Sequence, residues 1–119
     1  MDKPTWYKID LPIYDTSLNV TFVRSHKELY KVALKDGAAL TEKDKYVEMD
    51  GLFYYNKKEH KKIIFVLPTS NRLIVHETFH VTMHILDDIG QEFNIESHET
   101  HAWLLDYLFE EICKLKDAL

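Results

Sequence analysis

The chain has 119 residues, of which 45% are hydrophobic and 13% aromatic, so it is long enough to form one domain with a substantial core. Its net charge of -5, with lysines scattered among acids, argues against a nucleic-acid-binding surface. No apolar run reaches membrane-spanning length, residues 1–4 lack the apolar region of a signal peptide, and the single cysteine, Cys113, excludes an internal disulfide. We therefore expect one domain, residues 1–119, in a reducing cytoplasm.

The first half of the sequence predicts strands around one helix. Residues 6–11 alternate weakly and precede a proline, which indicates a short or edge strand, whereas residues 18–23 alternate clearly and predict a better one. A capping-box pattern at Ser25 predicts a helix that stops at Gly37. Residues 38–49 are charged and weakly periodic, so we expect a loop that contains at most a helical turn.

The second half predicts a hairpin followed by two helices. Residues 52–55 and 61–67 are predicted to be antiparallel strands. The basic cluster at residues 57–62, where the second strand begins, is predicted to be a solvated hairpin tip. The second strand is apolar on both sides, so both of its faces should be covered. Helices are expected from residue 69 or 70 to residue 89, and over residues 97–116. The order β-β-α-β-β-α-α predicts an α+β domain with paired helices at its end.

The first of these two helices contains the motif H-E-x-x-H at residues 76–80. On a helix, His76 and His80 lie one turn apart on the same face, where both imidazoles can reach one metal ion. Glu77 lies about 100° further round the helix from His76, close enough to accept a proton from water on that ion. This pattern is typical of zinc peptidases, in which the metal acidifies a water and the glutamate takes its proton.

The remaining residues of the motif helix are apolar over most of its circumference, including Val75 and Phe79. This pattern predicts a buried helix, on which the polar strip of His76, Glu77, His80 and His84 requires a partner such as a metal. The alternative is a core helix whose histidines bond to neighbouring backbone. His84 would lie about 12 Å from His76, which is too far for both to bind one ion. It then either supports the metal site or binds substrate, or it is a hydrogen-bonded histidine at the rim of the helix without such a role.

Two segments together carry a family resemblance. Residues 75–80 contain the motif, and residues 99–104 open the last helix with the pattern E-x-x-A-aromatic-L. They resemble small bacteriophage-encoded metallopeptidases and, more distantly, the peptidases that cleave phage-type repressors. The similarity extends upstream through residues 21–25, 51–55 and 64–68.

This resemblance implies a minimal zincin-like domain with a small antiparallel-rich sheet, and a gluzincin-like zinc site. In that site His76 and His80 are ligands, Glu77 is the general base and Glu99 is the third ligand.

The third ligand has competitors in the sequence. Position 101 is a histidine where the resemblance predicts an apolar residue, and Glu96 and His98 lie in the same turn. A helical projection from residue 97 turns His98 and His101 inward and Glu99 away from the apolar stripe, whereas an irregular first turn would allow Glu99 to reach the metal. We expect Glu99 to be the ligand, with His98, His101 and Glu96 as alternatives.

Two functions are consistent with these features. The first is zinc-dependent hydrolysis of a peptide bond in an unidentified protein or peptide substrate, in the host cytoplasm if the chain is phage-encoded. The intact Glu77 favours this function, because a structural metal site has no use for a base beside it. The second is a non-catalytic phage protein that uses a zincin-like scaffold to bind a host protein. Neither function involves nucleic acid or a membrane.

Overall fold

A computed structural model describes residues 3–56 and 60–119, so residues 57–59 of the expected hairpin tip and the first two residues lie outside the described part. The elements follow the expected order, which confirms the α+β class. The strands are β1 (Tyr7–Leu11), β2 (Thr16–Val23), β3 (Gly51–Tyr55) and β4 (Lys61–Val66), and the helices are α1 (His26–Lys35), α2 (Asn71–Asp88) and α3 (His98–Asp117). Short 3-10 turns occupy Pro12–Tyr14 and Glu42–Tyr46, the second within the expected loop.

The four strands form one mixed sheet in the order β1-β2-β4-β3. β1 pairs antiparallel with β2, and β3 pairs antiparallel with β4, as the hairpin pattern predicts. The central pair, β2 and β4, is parallel, with Val20 opposite Ile63. A parallel pair requires a crossover, and the segment containing α1 supplies it. β1 and β3 are therefore the two opposite edges of the sheet.

The sheet has a hydrophobic core on each face. On one face, Ile63 and Phe65 of β4 pack with β1, β2, α2 and α3. On the other, Ile64 and Val66 pack with residues of α1 and of the loop after it. Successive residues of a strand point to opposite faces, and both faces of β4 are covered, so all four of these side chains are buried. The prediction that this strand is covered on both sides is confirmed.

The two last helices pack against each other and end where the sequence indicates. Ser70 caps α2 by accepting a hydrogen bond from the Leu73 N–H at 3.1 Å, and the chain leaves the helix at Gly90 with φ of 79°. The prediction of a helix buried almost all round is wrong, since Val75 and Phe79 are 42% and 44% exposed. The reason is that, among the described elements, α2 packs mainly against α3 and β3, which cover only part of its circumference. No described helix has the length and apolar character needed to cross a membrane.

Candidate metal centre

The two histidines of the motif face each other on the solvent side of α2. Their Nε2 atoms are 3.3 Å apart and their ring centroids 4.8 Å apart, with the ring planes inclined by 77°. Both side chains are exposed, so they are not core histidines satisfied by backbone. The Nε2 separation exceeds the usual N–H hydrogen-bond length of about 2.9–3.0 Å. The helix thus brings the pair together, and the two rings make only a long N–H···N hydrogen bond.

The donor set fits a zinc ion at the distance the structure shows. Two nitrogens each about 2.0–2.1 Å from a tetrahedral zinc lie about 3.3–3.4 Å apart, and Nε2 of His76 and Nε2 of His80 are 3.3 Å apart. Imidazole nitrogens are among the preferred ligands of Zn²⁺. The sequence-based prediction that these two side chains can share one ion therefore agrees with their geometry.

Glu77 lies on the flank of α2 that meets β3. Its side chain is half-buried against Gly51, where an added Cβ would lie 3.2 Å from Cγ and 3.5 Å from Cδ of Glu77. Burial raises the pKa of the Glu77 carboxyl, and the adjacent His76 and His80 offset part of that rise. A raised pKa makes this carboxylate a stronger base than an ordinary glutamate, which suits it to accept a proton.

Gly51 is the site residue that the sequence did not reveal. In the sequence it reads as the turn before a strand. In the structure the absence of a side chain lets β3 approach the carboxylate of Glu77, with Phe65 as the third neighbour at 3.5 Å. Only the pairing of β3 with β4 and the packing of α2 over them create this contact, so no local pattern indicated it.

His84 belongs to a cluster of rings on β3 and not to the His76–His80 pair. Its ring centroid is 5.1 Å from that of Phe53 and 5.9 Å from that of Tyr55, which in turn lie 5.4 Å from each other. The Tyr55 hydroxyl donates to Asp88 at 3.1 Å, and burial and Asp88 raise the pKa of Tyr55 to about 12. His84 is therefore an exposed histidine that packs on the aromatic side chains of β3.

Glu99 lies at the other end of the sheet. Its side chain is 88% exposed, with one carboxylate oxygen 3.5 Å from Nε2 of His98. It lines a surface depression of about 400 Å³ together with Tyr14, which follows β1, and Trp103. Glu77 contacts β3, and three strand spacings separate the β1 and β3 edges by roughly 14 Å. The structure therefore does not bring Glu99 to the histidine pair.

The other candidate ligands of this turn are also not assembled with the pair. α3 begins as a regular helix at His98, and the helical projection is right for His101 and Glu99 but not for His98. His101 is buried as projected, and its Nδ1 donates to the Ser97 carbonyl at 3.0 Å. The expectation that His98 also faces inward is wrong, because its ring is exposed and its Nδ1 bonds to the Ile95 carbonyl. Glu96 is exposed in the connection before the helix.

Within residues 3–56 and 60–119, no three His, Cys, Asp or Glu side chains are arranged to hold a metal ion. The described part of the site thus consists of two nitrogen donors and an adjacent carboxylate. No protein-family model, curated protein or solved structure matches the chain. The resemblance to phage metallopeptidases stays a prediction that rests on the two sequence motifs.

Proposed function

We propose that this protein is a zinc-dependent peptidase in which His76 and His80 hold the metal and Glu77 is the general base. The observation that carries the proposal is the 3.3 Å separation of the two Nε2 atoms, which matches two ligands of one tetrahedral zinc. The half-buried carboxylate next in sequence to the first of these ligands supports a catalytic rather than structural site. A purely structural zinc has no use for a base at that position.

Each side chain of the proposed site has a separate role. His76 and His80 provide neutral imidazole nitrogens on one helical face, and α2 keeps them in register one turn apart. When bound, Zn²⁺ supplies a Lewis acid that polarises a carbonyl and acidifies water. Glu77 accepts the proton of the attacking water and donates it to the leaving amine. Its contact with Gly51 restricts where the carboxylate can lie.

An extended peptide has a place to bind beside these residues. β3 is an edge strand, and the α2 flank that carries Glu77 and His84 contacts it at Gly51 and Phe53. A peptide added to the free edge of β3 would gain main-chain hydrogen bonds and would run past the histidine pair. This arrangement favours extended segments as substrates, because such a segment can pair along the edge of β3.

The resemblance and the structure differ on the third ligand. Glu99 is the residue that the resemblance selects, and reaching the pair would require the first turn of α3 to leave its described position. Competition with a chromogenic chelator distinguishes the candidates. If Glu99 is a ligand, Glu99→Ala weakens zinc binding by more than about 10-fold, whereas His98→Ala and His101→Ala each weaken it less. The reverse ranking would assign the position to a histidine.

A non-catalytic role in binding another protein is the second candidate. It is favoured by exposed apolar side chains around the end of α2 and the following connection. These side chains are Ile89, Phe93 and Ile95, of which Ile95 is 84% exposed. On this alternative the histidine pair would bind metal weakly or not at all.

One set of measurements tests the proposed function. Purified protein is loaded with zinc at neutral pH, its metal content is determined by elemental analysis, and hydrolysis of a mixture of fluorescence-quenched peptides is followed with and without chelator. We expect one zinc per chain and chelator-sensitive cleavage. Glu77→Gln should retain the metal and lose at least about 100-fold in rate, whereas Glu48→Gln, in an exposed loop, should not change it. Cleavage that survives Glu77→Gln would exclude Glu77 as the base.

A further inference from the structure

A groove on the opposite face of the sheet from the histidine pair combines an apolar floor with a basic rim. It has a volume of about 580 Å³ and lies between the segment before β1 and the second half of α1. Its floor is formed by Pro4, Trp6 and Val32, and its rim by Lys3, Lys31, Lys35 and Asp36. Small-molecule sites typically occupy about 300–1,000 Å³ and have mainly apolar walls, so the groove has a suitable size and lining.

Asp36, the one acid among the described residues that line the groove, is already neutralised by other contacts. Asp36 accepts a hydrogen bond from the Tyr54 hydroxyl at 2.6 Å and pairs with Nζ of Lys62 at 3.6 Å. Tyr54 and Lys62 are cross-strand partners of β3 and β4, so the sheet positions both of them under the end of α1. Lys62 also lies over the Trp6 ring, with Nζ 4.2 Å from its centroid. Asp36 and Lys62 thereby hold the floor of the groove in place.

The lysines of the rim, unlike Asp36, are not neutralised by an ion pair among the described residues. Among the described residues, none of Lys3, Lys31 and Lys35 has an acidic partner within ion-pair distance. Lys31 and Lys35 lie one turn apart on α1, where their Cβ atoms are about 6 Å apart. Three such cations around one apolar groove contrast with the net charge of -5 of the whole chain. The local charge therefore favours an anionic ligand.

We propose that this groove binds an amphipathic carboxylate, with its apolar body on Trp6 and Val32 and its head group between Lys31 and Lys35. A phosphate ester fits less well, because the described residues that line the groove include no arginine for bidentate contact with a phosphate group. A nucleotide would require partners for the edges of its base, which the apolar floor does not provide. This site is separate from the proposed peptidase centre and does not depend on it.

Trp6 provides a direct probe of binding. The chain contains two tryptophans, so the Trp103→Phe variant makes the emission specific to Trp6. This variant is titrated with decanoate below its micelle concentration, and in parallel with 1-decanol and with decyl phosphate. We expect a saturable change of Trp6 emission with decanoate, and binding at least about 10-fold weaker for decanol, which lacks the charge.

Charge-reversal variants separate the groove from general charge effects. Lys31→Glu combined with Lys35→Glu should weaken decanoate binding at least about 10-fold, whereas Lys43→Glu combined with Lys45→Glu, an equal change of net charge on an exposed turn, should not. A linear, non-saturating response to decanoate, equal binding of decanol, or equal loss in both double variants would each overturn the proposal. Tighter binding of decyl phosphate than of decanoate would overturn the choice of carboxylate.

Discussion

Replacing His101 by leucine should stabilise the protein, although the change removes a hydrogen bond. The His101 side chain is 4% exposed, and its Nε2 is buried without a hydrogen-bond partner among the described residues. Because Nδ1 donates to the Ser97 carbonyl, Nε2 is left as an unpaired acceptor. A buried unpaired polar atom costs about 1–3 kcal/mol of stability. Leucine removes that atom and fills a similar volume.

The contributions to stability that the His101→Leu change removes are smaller in sum than those that it adds. The Nδ1 hydrogen bond contributes about 1 kcal/mol and the edge contact with Phe93, with centroids 4.9 Å apart, about 1 kcal/mol. The Ser97 carbonyl keeps its bond from the backbone N–H of residue 101, so it is not left unpaired. Burial of the greater apolar surface of leucine adds about 1 kcal/mol to the free energy of unfolding. The free energy of unfolding should therefore rise by about 1 kcal/mol, and Tm by about 3–6 °C.

Urea denaturation of the metal-free protein measures this change. His98→Leu, at an exposed position in the same turn, is the matched control and should alter the free energy of unfolding by no more than about 0.5 kcal/mol. A loss of more than about 1 kcal/mol in His101→Leu would refute the reasoning, since it would mean that Nε2 has a stabilising partner. If zinc affinity also fell more than about 10-fold, His101 would be a metal ligand.

Three further predictions concern the histidine pair and its neighbours. Zinc at about 100 times its Kd should stabilise the protein by about 2.7 kcal/mol in a thermal-shift assay, and this effect should vanish in His76→Ala and His80→Ala. Because burial raises the pKa of Glu77, folding favours its protonated form, so the metal-free protein loses stability as pH rises through that raised pKa. Glu77→Gln should lack this loss, and should exceed the wild type in stability at pH 8 but not near pH 3; equal stability curves would contradict this. Gly51→Ala should displace the carboxylate and lower any hydrolysis about 10-fold at unchanged zinc affinity. Gly90→Ala strains the backbone at its φ of 79° but brings no atom within 4 Å of the new Cβ, so it should lower the free energy of unfolding and leave the rate of the folded protein unchanged.

Local signals in the sequence determined the elements of this protein. Ser25 and Ser70 each accept a hydrogen bond from the N–H three residues later, and Gly37 and Gly90 have positive φ just beyond the ends of α1 and α2. Such signals can be read because capping and helix termination depend on residues only a few positions apart. For the same reason the spacing of the H-E-x-x-H motif was enough to place His76 beside His80, since one turn of α2 fixes their separation.

Contacts between distant segments required the tertiary structure. Nothing local specifies that β2 and β4 pair in parallel, yet that pairing makes β1 and β3 opposite edges of the sheet. Glu77 lies at one edge and Glu99 near the other as a result. Hydrophobic periodicity reports only that a side is apolar, so it did not show that Val75 and Phe79 on the outer side of α2 are exposed. The approach of Gly51 to Glu77 and the unpaired Nε2 of His101 likewise depend on packing between elements, which sequence spacing does not encode.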